Sequence, residues 1–150
     1  MSTTLHQAGV IAYRAVHGEV QVLLITSRGA GRWIIPKGNI SAGRSASKAA
    51  EIEAYEEGGV KGKIEGSAPL GFYTYVKRQD SGEQNPTSVE VYLLRVAKQV
   101  KKWPEKRERQ LSWVPIVEAI EQVDEPGLIP LLQRLSELVE FGGTNLVETL

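Results

Sequence analysis

The sequence predicts an α+β domain: a mixed β-sheet with helices packed on its faces, forming an α/β/α sandwich. Three observations carry this. Strand-like and helix-like segments are interleaved along the chain, not segregated. The apolar run at 8–16, the turn signal His17-Gly18 and the alternating segment 19–26 read as a hairpin, so one strand pair is antiparallel. The 150 residues are a usual size for one domain. Such a chain buries about two thirds of its unfolded surface.

The remaining elements follow in chain order. Residues 27–32 form a loop, and 33–35 a short strand that Pro36 ends. Residues 45–57 form a helix, opened by Ser45 as N-cap and closed by Gly58-Gly59. Residues 61–76 hold one or two strands, punctuated by Gly66 and Pro69. The polar segment 77–88 reads as a loop and the apolar segment 89–96 as a buried strand. A charged connection at 97–110 precedes a short strand at 111–114, then helices at 115–123 and 126–141. The whole chain, 1–150, reads as one domain with a frayed tail from Gly142.

Composition narrows the function classes. Lys plus Arg and Asp plus Glu number 18 each, so no bulk charge draws the chain to nucleic acid or a membrane surface. With no cysteine there is no disulfide, thiolate metal site or cysteine nucleophile. No apolar run approaches the roughly 20 residues that span a bilayer. The opening "MSTTLHQAGV" lacks a basic n-region and an apolar signal core, so the expected location is cytoplasmic.

The chemistry concentrates in "PKGNISAGRSASKAAEIEAYEEGGV" (36–60). At 3.6 residues per turn, Ala46, Ala49, Ala50, Glu53, Glu56 and Glu57 share one side of the helix. Small residues let the first turns approach a neighbouring backbone, and three carboxylates crowd the last turn. Glu53 sits at i,i+3 from Glu56 and i,i+4 from Glu57, spacings at which like charges repel. They also lie at the negative end of the helix dipole. A divalent cation with oxygen ligands would resolve this conflict; a solvated acidic helix end is the bland alternative. The glycines of 38–45 imitate a phosphate-binding loop, but Arg44 stands where its lysine belongs, and that reading leaves the glutamates unexplained.

The same segment resembles the Nudix box, Gly-x5-Glu-x7-Arg-Glu-apolar-x-Glu-Glu-x-Gly-apolar. Gly38 is its opening glycine, and Glu53, Ala54, Glu56, Glu57, Gly59 and Val60 keep its second half in register. "WIIPKG" (33–38) is similar to the strand that leads into it. Two positions depart: Arg44 replaces the first box Glu and Ile52 the box Arg. In the family those two side chains support the loop–helix geometry, so the loop is expected to be held differently, by Arg44 reaching a helix carboxylate. The tail "WPEKRERQLSWVPIVEAIEQVDEPGL" (103–128) resembles the diphosphoinositol polyphosphate phosphohydrolase branch through Lys106, Arg107 and Trp113.

The resemblance implies a Nudix-type sandwich and a metal-dependent hydrolase of diphosphate linkages in a phosphate-rich small molecule, such as diphosphoinositol or diadenosine polyphosphates. Glu53 and Glu57 would hold Mg²⁺ (Mn²⁺ as substitute), Glu56 would contribute, and the Gly38 carbonyl would complete the shell. The general base is Glu53 or a glutamate outside the box: Glu90, Glu105 or Glu108. Phosphates need cations, and Arg28, Arg32, Lys37, Lys106, Arg107 and Arg109 are the candidates. The expected partner is a phosphorylated substrate, with no nucleic acid and no membrane, on a monomer or homodimer. The rival from another class is a Nudix-fold binding or regulatory module with weakened catalysis, which the changes at Arg44 and Ile52 favour.

Overall fold

The computed structural model describes residues 4–141. Leu5–Val16 (β1) and Glu19–Thr26 (β2) pair as the expected hairpin, with Val16 opposite Glu19 across the two-residue turn. Trp33–Ile34 (β3) pairs with the end of β2, and Lys37–Asn39 (β4) with the start of β1. Ala46–Gly58 is α1. Val60–Ile64 (β5), Gly71–Arg78 (β6) and Gln84–Gln99 (β7) follow, then Leu111–Pro115 (β8). Ile116–Gln122 (α2) and Leu128–Phe141 (α3) complete the described chain.

The sheet is mixed. β1 and β7 run parallel from Leu5 opposite Thr87 to Tyr13 opposite Arg95, while every other pair is antiparallel. Alternate residues of the central strands feed two cores. Ile11, Tyr13, Val22, Leu24, Val89, Val91 and Leu93 face one side, where α2 and α3 cover them. Val10, Ala12, Leu23, Ile25, Tyr92 and Leu94 face the other, under α1. The α3 stripe Leu128, Leu131, Leu132, Leu135 recurs at helical spacing and is buried throughout. Each such side chain contributes about 1.5–3 kcal/mol. Ala49, Ala50 and Ala54 let α1 lie close on its own core.

One local expectation changes. The segment 77–88 is not a loop: Lys77 pairs with Asn85 and Arg78 with Gln84, so only 79–83 connects β6 to β7. Its polarity reflects a hairpin that projects beyond the core. The short strand β3 ends before Pro36, as expected, and a further strand, β4, begins pairing one residue after it. The segment 61–76, expected to hold one or two strands, holds two, β5 and β6. The tail expected to fray from Gly142 lies outside the described residues.

Candidate active site

Helix α1 delivers the carboxylates. Ser45 caps it, accepting the Lys48 N–H at 3.2 Å, and Gly59 ends it in the left-handed conformation. The last turn carries Glu53, Glu56 and Glu57 and no basic residue. Gly38 of β4 lies directly against the Glu53 side chain: a Cβ at Gly38 would fall on the Glu53 carboxyl. Glu57 is buried, 6% exposed. Its Oε1 accepts the Lys37 backbone N–H at 3.0 Å, and its Oε2 meets Arg109 Nη2 at 3.3 Å. Burial pushes the Glu57 carboxyl up to about 8, Arg109 opposing and the Glu53 charge adding to the rise. Burial also raises Glu53, and the Glu56 charge adds to it.

Lys37 is buried, against the expectation of a cation open to phosphate. Its ammonium meets both Glu125 oxygens, at 3.2 and 3.4 Å, and lies 4.6 Å from the Tyr75 ring centre. Burial pulls its pKa down while Glu125 opposes. Tyr73 donates to the same Glu125 at 2.7 Å. Tyr75 donates to Gln7 at 2.8 Å, and Gln7 donates to Asn39 at 3.1 Å. This network ties β6 and the α2–α3 connection to the strand that carries Gly38.

A cleft of about 1240 Å³ is lined by Gln7, Lys37, Gly38, Asn39, Glu57, Tyr75 and Glu125 among others, whereas Glu53 and Glu56 are not part of its lining. Six cations line it: Arg28, Arg32, Lys37, Lys77, Arg78 and Arg109. Three are engaged: Arg28 with Glu108 at 3.2 Å, Lys37 with Glu125, and Arg109 with Glu57 and Glu105. Among the described residues Arg32, Lys77 and Arg78 have no carboxylate partner. Lys106 and Arg107 do not line the cleft; Lys106 lies over Trp103. Glu90 is bonded to Tyr92 and lies outside the lining as well. Sequence reasoning missed Glu125, Lys77 and Arg78. The alternation of Tyr73 and Tyr75 on one strand face was a usable signal, but nothing local marks Glu125.

Residues 5–135 match the NUDIX domain. The chain belongs to the Nudix hydrolase family. It is 36% identical over 105 residues to Nudix hydrolase 21, chloroplastic, of Arabidopsis thaliana, covering 69% of this chain and 50% of that one. It thus spans half the length of that relative. Human diphosphoinositol polyphosphate phosphohydrolase 3-beta is 29% identical over 133 residues, 86% of this chain and 76% of that one. Among solved structures, a C. elegans Ap4A hydrolase superposes with a TM-score of 0.68 at 22% identity, over 91% of this chain and 98% of that one. At that identity the likeness concerns the fold alone: α+β, a mixed sheet and three helices.

The Nudix box of this chain is held together by residues outside it. Arg44 is exposed, and its backbone N–H donates to Ser41. Among the described residues its side chain pairs with no carboxylate; the guanidinium that reaches the helix is Arg109. As the side chains stand, no three His, Asp or Glu of the described residues form a ready cation cage. The donor chemistry nonetheless fits Mg²⁺, which is held by one or two carboxylates and keeps several waters. Glu53 and Glu57 are such a pair: Gly38 lies against Glu53 without a side chain between, and the Lys37 backbone N–H bonds Glu57. An ionised carboxylate has about four acceptor sites, and Lys37 and Arg109 use two of those on Glu57.

Proposed function

We propose that this chain hydrolyses a diphosphate linkage in a phosphate-rich small molecule of the diphosphoinositol or diadenosine polyphosphate kind. One arrangement carries the reading: Glu57 and Gly38 line one cleft together with six cations, and the Glu53 side chain packs directly against Gly38. A bound Mg²⁺, with Mn²⁺ as substitute, would neutralise phosphate oxygens and lower the pKa of a bound water. Glu53, Glu57 and Gly38 would hold it, with Glu56 beside them. Arg32, Lys77 and Arg78 would draw in the substrate's phosphates, and Arg28 could join by releasing its exposed pairing with Glu108. Glu53 is the proposed general base. Glu105 is already bonded to the buried Arg109, and Glu108, freed when Arg28 releases it, is the alternative base. The test is phosphate or nucleotide release across a panel of diphosphates, with and without Mg²⁺. Metal-dependent turnover on a member bearing several phosphates supports the reading.

A second reading has its own observation. Both Glu57 oxygens are engaged by protein donors, and the box lacks its Glu and Arg. A phosphate-binding module with weakened catalysis would show those features. Retained ligand binding without turnover anywhere on the panel selects it.

A further inference from the structure

We propose that Arg109 is a positioning residue for the Glu57 carboxylate, acting from the β7–β8 connection on the end of α1. This rests on the reading of Glu57 as a cation ligand. Helix α1 ends in three carboxylates at the negative end of its dipole and supplies no basic residue there. The opposing charge must come from elsewhere, and the geometry of Arg109 shows where.

The Arg109 side chain is 7% exposed and held by three elements. Nη2 meets Glu57 Oε2 at 3.3 Å and Glu105 Oε1 at 2.9 Å. Nε donates to Glu105 at 3.0 Å, and Nη1 donates to the Thr26 carbonyl at 3.1 Å. A guanidinium presents its donors in a rigid planar fork, so this set fixes its orientation. The connection itself is fastened to the helix end by backbone bonds. The Glu105 N–H donates to the Glu56 carbonyl at 3.0 Å, and the Val100 N–H to Gly59 at 2.8 Å. Gln99 Nε2 donates to the carbonyls of Gly58 and Gly59, each at 3.0 Å. Arg109 therefore stands at a set distance from Glu57. With Lys37 N–H on Oε1 and Arg109 on Oε2, the carboxylate is gripped at both oxygens and its remaining lone pairs are aimed. A side chain so enclosed steadies the ligand; phosphate contacts fall to Arg32, Lys77 and Arg78, which line the cleft.

The experiment measures Mn²⁺ binding to the intact chain by loss of the free-ion electron paramagnetic resonance signal. Wild type, R109M, R109K and E57Q are compared, with circular dichroism as the check of folding. Partners of this kind typically alter metal affinity about 10- to 100-fold. R109M is expected to weaken binding by about tenfold or more while folded, with R109K between it and wild type because lysine keeps the charge and loses the fork. If R109M does not fold, R109K decides by the same criterion. Folded R109 variants that bind within about twofold of wild type, where E57Q does not, overturn the inference and leave the metal reading standing. If E57Q also binds as wild type does, the metal reading fails and the inference fails with it.

Discussion

Lys37 joins the two halves of the site. Its backbone holds Glu57 and its ammonium holds Glu125, 88 residues away in sequence. Both side chains of that ion pair are enclosed, at 7% and 12% exposure. Removing one partner of a buried pair leaves the other charge uncompensated, a loss of about 3–5 kcal/mol. Lys37→Met should therefore lower the unfolding free energy measured in urea by an amount in that range. Gly38→Ala tests the cradle. Its methyl group lands on the Glu53 carboxyl, so the Mg²⁺ concentration at half-maximal activity should rise about tenfold. An unchanged requirement would separate Gly38 from the metal site. At this scale the three glutamates were legible because helical spacing alone puts them together. The burial of Lys37 was not, since its partner arrives only with the α2–α3 connection.

At the element scale, α1 was legible almost to the residue, from its serine cap, alanine face and closing glycines. β4 and the paired part of the β6–β7 hairpin were not. Polarity marks exposure to solvent, and both a loop and a projecting hairpin satisfy it. The helix end depends on Gly59, whose φ of 67° costs about 1–2 kcal/mol for a residue with a Cβ. A Cβ there also meets the Trp103 ring. Gly59→Ala should therefore destabilise the fold by at least about 1–2 kcal/mol in urea unfolding. Because Arg109 supplies the cation that the box lacks, restoring the box with Arg44→Glu and Ile52→Arg together should change turnover by less than about tenfold, or 1.4 kcal/mol of barrier. A larger gain would mean that the natural pair weakens the site and that Arg109 does not make up for it.

The whole molecule brings together cations that the chain keeps far apart. Arg32 comes from the β2–β3 connection and Lys77 and Arg78 from the end of β6, and all line one cleft. The basic run at 101–109 attracted attention in the sequence because it is dense. Only Arg109 of its cations lines the cleft, since the rest of the run wraps the outside of α1's end. Local density reports composition, whereas convergence on a cleft depends on sheet order. Replacing Lys77 and Arg78 together with methionine should raise KM about tenfold, about 1.4 kcal/mol, and leave kcat nearly unchanged. A fall in kcat alone would move these residues from substrate capture to the chemical step. The central claim is that Glu57 holds a divalent cation for diphosphate hydrolysis. The most direct measurement is an Mg²⁺ titration of phosphate release from one polyphosphate substrate, for wild type and Glu57→Gln side by side. Loss of several kcal/mol of metal-borne stabilisation predicts turnover that rises with Mg²⁺, vanishes with chelator and falls about a hundredfold or more in the variant. Equal rates in the two proteins, or turnover indifferent to Mg²⁺, would contradict it.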